Sequence, residues 1–151
     1  MVVVSLMAIL AALALPSFNS LIEKYRVEGV ASALVASITL ARSEAVRRGA
    51  TVTVRQRDGC TGNADWSCGW ETVIGSGASA ETLRQQDPDT RIKVEKSAGG
   101  SLSFDALGNS ASTAVASFKF SPADTQGSSN LAAVCLARSG RTKLVKGSGS
   151  C

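Results

Sequence analysis

The chain has 151 residues, 44% of them hydrophobic, which suits one packed domain with a helical extension and excludes wholesale disorder. Aromatic residues are 5% and histidine is absent, which removes an aromatic platform for sugars or single strands, an imidazole base and a histidine metal site. The net charge of +4 is carried entirely by residues 131–151, where Arg138, Arg141, Lys143 and Lys146 occur without an acid.

Nothing from Met1 to Ile22 is charged, and residues 1–15 are apolar except for Ser5. Fifteen helical residues reach only about 22 Å, against a hydrocarbon core of roughly 30 Å. A secretory signal peptide would open on a positive stretch, which is missing, although Ala12-Leu13-Ala14 has the small-x-small form of a cleavage site. A buried core helix is an alternative, but a surface that is apolar all round suits lipid better. The residues that follow decide against the signal peptide. Val27, Ala31, Leu34, Ile38, Ala41 and Ala45 recur at spacings of four and three, with Arg26, Glu28, Arg42, Glu44 and Arg47 largely outside that stripe. An apolar half (1–22) therefore runs into an amphipathic half (23–49) as one helix, ending near Arg48-Gly49, where cations followed by glycine suit a helix C-terminus. Pro16 is expected to kink it, because proline removes an intrahelical hydrogen bond.

The run Met1-Val-Val-Val-Ser-Leu-Met-Ala-Ile-Leu-Ala-Ala-Leu-Ala-Leu-Pro-Ser-Phe18, followed by Ala41-Arg-Ser-Glu-Ala-Val46, resembles type IV pilin-like proteins of the GspH/FimT class. In that family a prepilin peptidase cleaves after a glycine, and the mature chain begins Phe-Thr-Leu-Ile-Glu-Leu. The present sequence opens downstream of that hexapeptide, so no residue here takes the place of the methylated phenylalanine or of the glutamate. The resemblance implies a precursor with a Gly-Phe-Thr-Leu-Ile-Glu-like segment ahead of Met1. N-terminal sequencing of native protein should then return a methylated residue upstream of Met1, and recovery of unmodified Met1 would contradict it. The resemblance also implies a filament-assembly helix, represented here by Val4, Leu6, Ile9, Leu13, Pro16 and Phe18, which can exchange lipid for neighbouring helices at little cost.

After Gly49 the period becomes alternating, and residues 50–151 read as an antiparallel, turn-rich β domain. Thr51–Arg55 is a half-buried strand with Val52 and Val54 inward, and Gly69–Ile74 is the next. Gly75–Ala80 is a Gly/Ser/Ala loop, and Gln85–Thr90 is polar and broken by Pro88. Further strands are expected at Ile92–Glu95, Leu102–Phe104, Ala116–Phe120, Ala132–Ala137 and Thr142–Lys146. One long helix followed by an antiparallel sheet is an α+β fold. The family resemblance extends through this part. Trp66-Ser-Cys-Gly-Trp70 is similar to a Trp-x-x-Gly-Trp stretch, Leu102-Ser-Phe-Asp-Ala-Leu-Gly108 to a strand-and-turn motif, and Val134-Cys-Leu-Ala-Arg-Ser-Gly-Arg141 to a last hairpin. Core packing is the expected role of both tryptophans, and Gly108 and Gly140 supply backbone freedom in turns.

Four cysteines allow three connectivities, of which the local pairs Cys60–Cys68 and Cys135–Cys151 are the simplest. Such short loops fit an oxidising compartment, whereas four free thiols would fit a cytosolic chain. Without histidine and without a Cys-x-x-Cys, no metal site is assigned. Asp58, Asp65, Asp87 and Asp89 lack the partners that mark acid–base chemistry, and no oxygen-rich calcium run occurs. The expectation is thus a non-enzymatic protein with no catalytic residues, metal or cofactor.

Two readings of function remain. In the first the chain is a minor pilin or type II secretion pseudopilin, partnered by other pilins or pseudopilins through its N-terminal helix. It would be held in the bacterial inner membrane by a single pass, with its globular domain in the periplasm, before joining a pilus or pseudopilus. In the second, Arg138, Arg141, Lys143 and Lys146 bind duplex DNA without sequence preference, in DNA uptake. Gly140-Arg141-Thr142-Lys143 resembles the Gly-Arg-x-Arg segment of DNA-uptake members of the family, with lysine in place of the second arginine's planar fork. The plainer account of the same cations is a solvated strand that discourages edge-to-edge pairing.

Overall fold

The computed structural model describes residues 2–75, 80–87, 89–111, 115–124 and 130–151, with backbone alone at 2 and 4–18. Helix α1 (Val2–Arg48) is 47 residues long, about 70 Å at the usual rise. It runs on through Pro16 without a break in helical assignment. It stops where expected: Gly49 takes φ 61° and the Ala50 N–H returns to the Ala45 carbonyl at 3.2 Å, closing the last turn in left-handed geometry. In that turn Arg47 and Arg48 both hydrogen-bond Glu44, holding its carboxyl at about 2.

The six residues of the stripe, from Val27 to Ala45, are all buried, at 1% exposure or less. They lie against two sheets. The first has the order β3-β2-β1-β5, from β1 (Val52–Gln56), β2 (Trp70–Ile74), β3 (Glu81–Gln86) and β5 (Leu102–Phe104). The second has the order β4-β6-β7-β8, from β4 (Ile92–Lys96), β6 (Ala116–Pro122), β7 (Ala132–Leu136) and β8 (Thr142–Lys146). All strand pairs are antiparallel. Alternation places Val52, Val54, Leu102, Phe104, Phe118, Phe120, Val134 and Leu136 in one core with the helix stripe.

Two features depart from the sequence reading. The strands form two sheets rather than one, because β4 leaves for the second sheet and β5 returns to the first. The segment 64–67 links them: the Trp66 N–H donates to the Val94 carbonyl and the Lys96 N–H to the Ala64 carbonyl, each at 2.8 Å, covering the outer edge of β4. Strand β3 had no counterpart in the sequence reading. It is an edge strand whose residues are exposed or half-buried, with Leu83 packed against the core.

Both tryptophans are core residues, as expected. Trp66 is fully buried and meets the Phe118 ring edge-on, with centroids 5.0 Å apart. Trp70 donates its indole N–H to Ser37 Oγ at 3.0 Å, and the Ser37 hydroxyl donates to the Ala33 carbonyl at 3.0 Å. This chain of bonds fixes the docking angle of α1 on β2. Ser37→Ala should cost about 1–3 kcal/mol by stranding a buried N–H. In a Trp70→Phe background, where no N–H remains to strand, the same change should cost clearly less, and a double-mutant denaturation cycle measures the difference.

Candidate assembly helix and basic hairpin

Of the assembly-helix residues, Val4, Leu6, Ile9, Leu13, Pro16 and Phe18 have side chains outside the described residues; their backbone is helical. Further along, Leu21, Ile22 and Tyr25 are exposed apolar or aromatic residues on α1. By length and composition Asn19–Arg48 is itself apolar enough to cross a membrane, but its buried stripe shows that much of its apolar surface serves the domain core. The globular part grips this region through polar ties. Asn130 Nδ2 donates to the Ser20 carbonyl at 3.2 Å and to Glu23 Oε2 at 2.8 Å, and Lys146 Nζ pairs with Glu28 Oε2 at 2.7 Å.

The structure does not gather the four tail cations into one cluster. The β7–β8 loop is Arg138-Ser139-Gly140, with the Gly140 N–H donating to the Ala137 carbonyl and Gly140 at φ 73°. This is a type I turn with a left-handed glycine, a common three-residue hairpin loop. In β8, Leu144 and Lys146 stand opposite Val134 and Ala132, on the helix-facing side, whereas Lys143 stands opposite Cys135 on the other side. Lys146 is thus turned toward α1 and neutralised by Glu28, while Arg138, Arg141 and Lys143 remain exposed near the loop.

In place of Lys146 the fold brings Arg42. Its side chain lies over both turn glycines: a Cβ added at Gly108 would stand 3.1 Å from Arg42 Nε, and one at Gly140 3.2 Å from it. The sequence reading left Arg42 merely outside the helical stripe, since nothing local links residue 42 to residue 140.

The structure bonds Cys60 to Cys68 and Cys135 to Cys151, with Cα separations of 5.1 and 5.8 Å. The second bond draws the C-terminal tail across the face of the second sheet that points away from α1. There Gly149 sits against the stem of Lys119, and the neighbouring Ala133 is fully buried although it points away from the helix. Asp65 accepts from Thr61 Oγ1 at 2.8 Å and from the Ser67 N–H at 3.0 Å, bracing the loop closed by Cys60–Cys68. Asp87 pairs with Arg57, and Asp89 accepts from the Arg91 N–H, so these acids hold turns and surface pairs. Among the described residues no group of three or more His, Cys, Asp or Glu is placed to hold a metal ion.

The family profile described as type II transport protein GspH matches residues 30–140. The chain belongs to the GspH family. No curated protein sequence matches it. The solved structures similar to this GspH-family chain include the type IV minor pilin FimU of Pseudomonas aeruginosa in two crystal forms. One is 24% identical with a TM-score of 0.66, covering 82% of this chain and 96% of FimU. The other is 22% identical with a TM-score of 0.69, covering 85% and 95%. The minor pseudopilin EpsH from the type 2 secretion system of Vibrio cholerae is 12% identical with a TM-score of 0.60, covering 79% of this chain and 95% of EpsH. The fold is therefore the one shared by these pilin and pseudopilin structures, and the family places the chain in a pilus or secretion role.

Proposed function

We propose that this GspH-family chain is a non-enzymatic filament subunit, a minor pilin or secretion pseudopilin. It is held in the inner membrane by the first half of α1 and assembles through that half with other pilin-type helices. The observation that carries the reading is the division of labour along one helix. The stripe from Val27 to Ala45 is consumed by the domain core, while the segment 1–22, uncharged and mostly apolar in sequence, belongs to the same helix. A segment so apolar needs lipid or other helices around it, and exchanging one for the other costs little. Photo-cross-linking from Ile9 and Leu13 in cells with the rest of the filament machinery should capture other pilin-type subunits. Cross-links to lipid alone under assembling conditions would refute it.

A second reading, binding of duplex DNA, is favoured by the exposure of Arg138, Arg141 and Lys143 in and beside the β7–β8 loop, with Arg42 lying next to Gly140 of that loop, while Lys146 is paired with Glu28. Up to four phosphate contacts give a log–log salt slope no steeper than roughly −3.6 per monomer. Arg141→Ala should weaken binding and flatten the slope by about one contact's worth. Lys146→Ala and Lys119→Ala should matter less, and equal losses from all three would mean diffuse charge. Electrophoretic mobility shifts over a salt series make the comparison.

A further inference from the structure

Where α1 leaves its uncharged segment, a strand start meets it. Asn19, Ser20, Ile22, Glu23 and Arg26 of α1 line a cleft of about 530 Å³ with Arg91, one residue before β4. Among the described residues neither the Arg26 nor the Arg91 guanidinium has an ion-pair or hydrogen-bond partner; the polar contact Arg91 makes with Asp89 is through its backbone N–H. The acid in the cleft, Glu23, is held by Asn130 Nδ2 at 2.8 Å. At the same level, Leu21 (45%), Ile22 (44%) and Tyr25 (65%) are exposed large side chains, and Tyr25 is the chain's single tyrosine. Exposed aliphatic residues, a tyrosine and arginines on consecutive turns are the composition of a membrane interface.

Depth agrees with composition. The headgroup layer on each side of a bilayer is about 5–7 Å thick, which a helix crosses in about four or five residues. With residues 1–22 in hydrocarbon, the four residues that follow, Glu23 to Arg26, fall in that layer. Two arginines lining one cleft match a phosphate diester, which accepts bidentate hydrogen bonds from guanidinium groups. We propose that Arg26 and Arg91 together hold the phosphate of an anionic phospholipid headgroup, seating the globular domain on the bilayer. This rests on the membrane-embedded reading of the first half of α1.

The test uses the full chain in a neutral detergent, offered equal amounts of phosphatidylglycerol and phosphatidylcholine, with bound lipids counted by native mass spectrometry. Wild type should prefer phosphatidylglycerol. Arg26→Gln and Arg91→Gln should each reduce the preference about fivefold, while Arg84→Gln, at an exposed position on the edge strand β3 of the other sheet, should leave it unchanged. Arg91 is exposed, so Arg91→Gln reports on the site even if Arg26→Gln disturbs the helix. No preference in wild type, or an equal loss from Arg84→Gln, overturns the proposal. Inorganic phosphate in large excess should leave the lipid in place; complete displacement would assign the cleft to free phosphate and overturn the lipid. Retention of wild type and both variants in phosphatidylcholine vesicles after alkaline carbonate washing checks the membrane reading separately, because it depends on the apolar segment and not on the arginines. Release of all three would overturn that reading and the proposal with it.

Discussion

Gly140→Ala should lower the unfolding free energy by about 3 kcal/mol or more, well beyond the cost of an ordinary turn glycine. Two effects combine. At φ 73° an L-residue is strained, at about 1–2 kcal/mol. In addition, the new Cβ would be forced against the Gly108 carbonyl, a backbone atom that cannot swing aside. Two other glycines separate these effects. Gly147, at φ 74°, has nothing within 4 Å of an added Cβ, so Gly147→Ala reports strain alone. Gly108, at φ 79°, would meet Arg42 Nε and Val46 Cγ2 at 3.1 Å, both on side chains that can shift. The expected order of destabilisation is Gly140 > Gly108 ≥ Gly147, measured by urea unfolding of the full chain in neutral detergent with tryptophan fluorescence. Equal effects at Gly140 and Gly147 would mean that the hairpin does not rest on the 105–108 turn.

That contact marks where sequence reasoning stops. The stripe from Val27 to Ala45 was legible because a helix repeats every 3.6 residues and one face must be buried. Strands β1, β5 and β6 were legible because their apolar residues alternate. Strand β3 was not, since Glu81, Thr82, Arg84, Gln85 and Gln86 offer no apolar alternation and the strand is held by main-chain pairing to β2. The split into two sheets was equally hidden, because alternation says which face is inward but not which neighbour a strand takes. The basic hairpin shows the same limit. Its four cations were visible as a charge run, yet Lys146 and Lys143 face opposite sides, and the pairing of Lys146 with Glu28 spans 118 residues. Arg42 joins the hairpin through the same kind of long-range contact.

Loss of the Cys135–Cys151 bond should cost more than loss of Cys60–Cys68, and by more than loop length explains. The sequence separations are 16 and 8 residues, for which chain-entropy estimates give about 3 and about 2.5 kcal/mol. Entropy alone therefore predicts nearly equal effects. The bonds differ in what they hold. Cys60–Cys68 closes a loop that Asp65 also braces through Thr61 and Ser67, so that loop keeps its own polar ties after the bond is lost. Cys151 ends the tail that lies beside Ala133 and the stem of Lys119, and beyond the Gly147 N–H bond to Leu131 the described hydrogen bonds of residues 148–151 run among themselves. Without the disulfide these residues should leave the sheet, exposing Ala133 and the aliphatic part of Lys119. Urea unfolding of paired Cys→Ala variants should therefore show the larger loss for Cys135/Cys151. Hydrogen exchange should rise in residues 148–151 and at Ala133, while the β7–β8 loop at 138–140, anchored by Gly108 and Arg42, keeps its protection. Equal losses from the two pairs, with Ala133 still protected, would mean that the tail holds its place without the bond.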